Sequence, residues 1–272
     1  MDLRLNDKVV IVTGGTGGIG RGLTTAFAAE GAAVVVAARD VDAATDIAAA
    51  TDGTVTVAEC DVTDPASVRE MVDLTRQTHG PVDVLVNNAG GATGRSKVAE
   101  LTAEHRTAQI RLNIDGVVNC TQAVAPDMLG RGSGSVVNIS SNASLSGEAA
   151  EGCVHYGGCK AFVNAFSRGL AWEWGPAGVR VNVISPGWIV PHDGAALSER
   201  SIWRDQFGPT GRARHLEAAA TQGSLPNIST LPIRRVGRPE DVAHLALFLA
   251  SDVSSYITGQ LVSVSGGAVM PS

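Results

Sequence analysis

The sequence predicts an α/β fold: a single doubly wound parallel sheet with helices on both faces. Three observations predict it. Short β-branched runs alternate with helical stretches along the chain. The first run, within KVVIVTGGTGGIG at residues 8–20, passes through a glycine-rich turn directly into a helix. No repeat, low-complexity tract or linker divides the 272 residues, so residues 1–272 read as a single domain.

Bulk properties narrow the class. Apolar residues are 44% and charged residues 18% of the chain, a globular balance. A net charge of −6 argues against a nucleic-acid surface or an anionic membrane as the main partner. No apolar run is long enough to span a bilayer, and the opening MDLRLNDK has no signal-like apolar core, so a cytoplasmic protein is expected. Cys60, Cys120, Cys153 and Cys159 show no paired metal spacing, so they are expected as free thiols and no metal site is predicted.

Taken in order, Val9–Val12 is the first strand, and Ile19–Glu30 an amphipathic helix stopped by Gly31. Ala32–Ala38 is the second strand, Asp42–Ala50 a short helix, and Thr54–Cys60 the third strand. Asp64-Pro65 starts a helix, since Asp caps and Pro suits the first helical position; the helix runs to His79. Val82–Val86 is the fourth strand, ending in Asn87-Asn88-Ala89-Gly90. A long helix is predicted from Thr102 to Met128, then a strand at Ser135–Ile139, a helix at His155–Trp174 and a strand at Val179–Ile184. Pro239–Ala250 is the final helix and Gln260–Val264 the final strand. Between the strand at Val179–Ile184 and that final helix, residues of about 188–235 break the rhythm and read as a lid-like insertion before the last helix. Two short helices are predicted there, near Ala195–Gln206 and Arg212–Thr221. His192 and Asp193 are candidates to touch substrate or to lie in a solvated turn; Arg200, Arg204, Arg212 and Arg214, with Trp203 and Phe207 in the same stretch, are candidates to meet an anionic substrate or to line a solvated helix face.

The glycine turn predicts nucleotide binding. Glycine permits positive φ and close approach of backbone to ligand. A helix start offers unpaired N–H groups to a pyrophosphate. Two registers fit: Gly15, Gly17 and Gly20 as G-x-G-x-x-G, or Thr13, Gly14, Gly18 and Gly20 as T-G-x-x-x-G-x-G. Where an acidic residue would bind the adenine ribose stands Ala38, followed by Arg39 and Asp40. Arg39 can grip a 2′-phosphate, which favours NADP(H); ribose binding by Asp40 leaves NAD(H) as the alternative.

Ser141, Tyr156, Lys160 and Asn113 carry the chemistry. Tyr156 and Lys160 are four apart on a predicted helix and share a face. A nearby ammonium favours the phenolate, so the Tyr156 pKa is expected to fall toward the working range. Ser141 closes a strand and can orient a carbonyl oxygen, while Asn113 can hold helix backbone or a water near Lys160. His155 neighbours Tyr156 but points elsewhere on the helix, which predicts a structural role.

With these residues in place, the chain from Asn6 to Gly267 resembles the short-chain dehydrogenase/reductase family. Thr13-Gly14-x-x-x-Gly18-x-Gly20, Asp61, Asn87-Asn88-Ala89-Gly90, Asn113, Ser141, Tyr156-x-x-x-Lys160 and Pro186-Gly187 match its motifs in its order. The resemblance implies a dinucleotide-binding catalytic domain, a nicotinamide cofactor, a small-molecule carbonyl or alcohol substrate and a homotetramer. It implies Tyr156 as acid/base, Lys160 as its electrostatic partner and ribose ligand, Ser141 as carbonyl orienter and Asn113 in the proton relay. Its cofactor set falls on Gly14, Thr16, Gly18, Ile19, Gly20, Asp61, Val62, Asn88, Ala89, Gly90, Tyr156, Lys160, Pro186, Gly187 and Ile189, with Arg39 added from the strand end. The Ser141–Tyr156 gap is slightly longer than the family's, which leaves Ser144 as an alternative hydroxyl. Pro191 stands near a common threonine position, so backbone at Ile189 is expected to replace that contact. Within the class, a 3-oxoacyl thioester reductase is the rival to a reductase of cyclic or hydrophobic alcohols. A cofactor-sensing binding protein is the alternative outside it.

Overall fold

The computed structural model describes residues 2–92, 97–191, 222 and 231–270. Within them, β-branched runs suited to extended backbone form β1 (Val9–Thr13), β2 (Ala33–Ala38), β3 (Val55–Glu59), β4 (Val84–Asn87), β5 (Gly134–Ile139), β6 (Val179–Pro186) and β7 (Leu261–Val264). All pair in parallel in one sheet, in the order β3-β2-β1-β4-β5-β6-β7. The chain winds outward from β1 to β3, then crosses back to place β4 beside β1. Ligands of open α/β sheets bind outside the carboxyl ends of the strands at such a reversal.

The helices are α1 (Gly18–Ala29), α2 (Val41–Ala49), α3 (Pro65–His79), α4 (Ala103–Ile110), α5 (Gly116–Arg131), α6 (Val154–Trp174) and α7 (Pro239–Ala250). Alternate strand residues feed two cores. Val10, Val12, Val34 and Val36 pack with Leu23 and Phe27 of α1 and Val242 and Ala246 of α7. Ile11 and Val35 pack on the other face with Met71 of α3, Val124 of α5 and Leu170 of α6. Both faces of the central strands are therefore buried, which is why they read as continuous apolar runs.

Local signals place several ends. Asp64 accepts a hydrogen bond from Ala66 N (2.9 Å) and Pro65 opens α3. Other boundaries depart from the pattern. β6 runs two residues further than predicted, through Pro186, because β7 pairs with it there. The long helix predicted from Thr102 is interrupted: a π-helical segment, Arg111–Asp115, separates α4 from α5.

Most of the insertion lies outside the described residues, including both predicted short helices, His192, Asp193, Trp203, Phe207 and the four arginines. Its two ends are described and tied together. Val190 N donates to Gly237 O (2.9 Å) and Gly237 N to Trp188 O (2.8 Å). Arg238 donates to the Pro191 carbonyl (3.2 Å). The insertion thus leaves and returns just beyond the carboxyl end of β6. Among the described residues, no helix is long and apolar enough to cross a membrane.

Candidate active site

The turn after β1 is shaped by missing side chains. Gly14 (φ 63°) and Gly18 (φ 49°) hold left-handed backbone, which singles out the Thr13-Gly14-x-x-x-Gly18-x-Gly20 register. A Cβ on Gly20 would collide with the Gly14 carbonyl oxygen and reach 2.7 Å from Asn88 Nδ2. Gly17 stands at the N-cap of α1 and has no side chain to bond the first-turn N–H groups. A Cβ on Gly18 would meet nothing within 4 Å, so the turn opens outward at the helix start. Thr16 lies in this turn and Ile19 in the first turn of α1, both half-buried.

The end of β4 braces that turn. Asn88 Nδ2 donates to the carbonyls of Thr13 and Gly14 (2.9 Å each). Thr13 Oγ1, buried, accepts from Asn88 N (3.1 Å) and Ala89 N (3.0 Å). A Cβ on Gly90 would come 2.9 Å from both Lys160 Nζ and Asn113 Oδ1, so Gly90 brings the cradle against the second half of the site.

That second half forms where β5 ends against α6. Lys160 is 2% exposed; its ammonium donates to the Ile139 carbonyl (2.9 Å) and lies 5.9 Å from the centroid of the Tyr156 ring. Burial lowers the Lys160 pKa to about 8, with Cys159 beside it acting the other way. Burial pushes the Tyr156 phenol up to about 12, against a lowering hydrogen bond with Ser141. The expected lowering of Tyr156 by Lys160 is therefore corrected. The ammonium sits over the ring on a backbone carbonyl, and desolvation of the phenolate dominates.

Between the two candidate hydroxyls, Ser141 is the one that meets Tyr156. Ser144 Oγ donates to the Ser141 carbonyl (2.6 Å) and accepts from Asn164 Nδ2 (2.9 Å), which ties it into the scaffold. The intervening loop closes onto α6 at Gly157, where a Cβ would come 2.5 Å from the Ala143 carbonyl. His155 points to α4, within 3.3 Å of the Arg106 carbonyl.

Asn113 lies in the π-helical segment and is fully buried. Its Oδ1 accepts from Gly91 N (3.0 Å), and its Nδ2 meets the carbonyls of Gly91 and Gln109 (3.1 Å each). Gln109 itself was not among the sequence candidates. It is 2% exposed, accepts from Asn113 Nδ2 through Oε1 (2.9 Å) and walls a recess with Leu101, His105, Cys153, His155 and Tyr156. Its signal in the sequence is position alone, one turn before Asn113. Asn142 is a second such residue: its Oδ1 accepts from Ser185 (3.3 Å) and Ser263 (3.2 Å), joining the turn after β5 to β6 and β7.

The remaining candidates sit around the rim. Arg39 is exposed at the end of β2, while Asp40 caps α2 by accepting from Ala43 N (2.9 Å). Asp61 closes the turn after β3 by accepting from Thr63 N (2.9 Å); Val62 is buried in the core against Gly116. Pro186 ends β6, and Gly187 packs where a Cβ would come 2.8 Å from Ser265 Cβ. The Ile189 side chain is core, and its N–H donates to Gly187 O (3.0 Å).

A sheet that reverses order at a glycine cradle, with a tyrosine–lysine pair beyond the next strands, is the architecture of a Rossmann-type oxidoreductase. Comparison with known proteins says which kind. The family model described as "short chain dehydrogenase" matches residues 8–200, and one described as "Enoyl-(Acyl carrier protein) reductase" matches residues 211–269. A 3-oxoacyl-[acyl-carrier-protein] reductase of Thermotoga maritima is 35% identical over 98% of this chain and 100% of its own. A 3alpha-hydroxysteroid dehydrogenase of Mediterraneibacter gnavus is 36% identical over 98% and 99%. The crystal structure of a 7alpha-hydroxysteroid dehydrogenase complexed with NADH and 7-oxo glycochenodeoxycholic acid superposes with a TM-score of 0.83 at 30% identity, over 99% of this chain and 97% of that one. The chain belongs to the short-chain dehydrogenase/reductase family and is an oxidoreductase.

Proposed function

We propose that the enzyme moves a hydride between NADP(H) and a carbonyl or secondary alcohol, with Tyr156 as acid/base. The observation that carries this reading is the meeting of Ser141, Tyr156 and Lys160 beside the glycine cradle. The bound nicotinamide supplies or accepts the hydride. The cradle fits a dinucleotide: Gly14, Thr16, Gly18, Ile19 and Gly20 present backbone and an uncapped helix start to the pyrophosphate. Asp61, Val62, Asn88, Ala89 and Gly90 line the adenine and ribose side; Pro186, Gly187 and the Ile189 backbone line the nicotinamide side.

Ser141 holds the substrate oxygen and Tyr156 donates or removes its proton. The Lys160 ammonium favours the charge that develops on the phenol oxygen and binds ribose, and Asn113 belongs to the relay that returns the proton. A phenol at about 12 holds its proton at neutral pH and suits the acid role in carbonyl reduction. NADP(H) is preferred because Asp40 is engaged in capping α2 while Arg39 stands exposed beside it. Residues of about 188–235 act as the substrate lid, entering and leaving beside β6. The substrate class spans 3-oxoacyl thioesters and cyclic or hydrophobic ketones, the two kinds named by relatives of similar identity. The family also implies a homotetramer, and the unpaired cysteine spacing favours a cytoplasmic protein.

Replacing Tyr156 with Phe tests the assignment. NADPH affinity should stay within about twofold while turnover of any carbonyl substrate falls by about 10³-fold or more. Full turnover in that variant would overturn it.

A further inference from the structure

We propose that Gln109 is a positioning residue of the proposed site: it sets the orientation of the Asn113 amide and, through it, the Gly90–Gly91 backbone that packs against Lys160. This rests on the oxidoreductase reading only for its effect on turnover.

An asparagine amide can sit in two orientations that exchange oxygen and nitrogen. At Asn113 the neighbours choose. Gln109 offers two acceptors to one end, its carbonyl (3.1 Å) and its side-chain Oε1 (2.9 Å). Nδ2 therefore faces Gln109 and the Gly91 carbonyl (3.1 Å), and Oδ1 receives Gly91 N (3.0 Å), so Gln109 and Gly91 favour the same orientation. Reversal would set oxygen against oxygen at Gln109 and at the Gly91 carbonyl, and two N–H groups against each other at Gly91 N, with every partner buried or half-buried. The held backbone is the segment where a Cβ on Gly90 would come 2.9 Å from Lys160 Nζ. The π-helical segment adds to the need for a latch: the N–H of Gly116 bonds back five residues, to the Arg111 carbonyl, so the helix is widened around Asn113. Gln109 also borders the recess that Tyr156 lines.

The test uses two variants. Gln109→Met keeps length and loses the side-chain acceptor. Gln109→Glu keeps an acceptor oxygen in either protonation state. In the protein without cofactor, hydrogen-exchange protection of the Gly91 amide should fall about tenfold in Gln109→Met and hold in Gln109→Glu. In the Asn113→Ala background, Gln109→Met should cause no further loss. With cofactor and a carbonyl substrate, kcat should fall about tenfold in Gln109→Met with the cofactor KM unchanged. Unchanged Gly91 protection in Gln109→Met overturns the proposal, as does its loss in Gln109→Glu, the variant that decides should Gln109→Met not fold. Absence of wild-type turnover would count against the oxidoreductase reading alone, since Gly91 protection needs no turnover.

Discussion

The two halves of the site are built by opposite means. The cradle between β1 and α1 is made of backbone and of side chains that are absent: Gly14 and Gly18 at positive φ, Gly20 against a carbonyl. The half between β5 and α6 is made of side chains that are present, buried and polar: Lys160, Asn113 and Gln109. The first kind of site is broken by adding atoms. The second keeps its fold through shape-preserving changes but loses its chemistry, and it holds charge at a cost to stability.

The sharpest way to break this comparison is to add one methyl group. Gly20→Ala drives a Cβ into the Gly14 carbonyl oxygen, a backbone atom, and toward Asn88 Nδ2, which two hydrogen bonds hold in place. The expected loss is about 3 kcal/mol or more, a fall in Tm of roughly 10 °C, together with loss of cofactor binding. Thermal unfolding followed by circular dichroism checks it, and a variant with wild-type Tm would contradict the account of the cradle.

A smaller effect of opposite sign is expected in the other half. Burial lowers the Lys160 pKa from 10.5 to about 8. Between those values the unfolded chain binds a proton that the folded chain does not, so folded-state stability rises with pH across that window. Below it the buried ammonium costs its full amount. Lys160→Met should therefore abolish turnover yet stabilise the fold near neutral pH by about 2 kcal/mol. The advantage should shrink as pH rises from about 8 to 10.5. Urea denaturation at several pH values reads this directly. A less stable variant at neutral pH, or a difference that ignores pH, would contradict it.

The same contrast explains what the sequence made legible. The cradle's signal is local: a strand, a turn and a helix start within residues 8–20, with Gly14 and Gly18 at positive φ and Gly20 set against the Gly14 carbonyl six positions back. Asp64-Pro65 and Pro239 marked helix starts for the same reason. The polar half depends on contacts far apart in sequence. Nothing near Gln109 announces a π-helical segment, and Lys160 reaches Ile139 across 21 positions. The Tyr156 phenol was misjudged because spacing reports that a lysine is near, not that its ammonium lies over the ring or how deeply the oxygen is buried. Asn88 bracing the glycine turn is likewise a contact between strands adjacent only in the sheet.

The most direct test of the central claim is a titration of the wild-type protein with NADPH and, separately, NADH, followed by nicotinamide fluorescence. The account predicts saturable binding of NADPH, tighter than NADH by about tenfold or more through the Arg39 contact to the 2′-phosphate. Binding of neither would contradict the cradle and the enzyme reading built on it; tighter NADH would contradict the role given to Arg39.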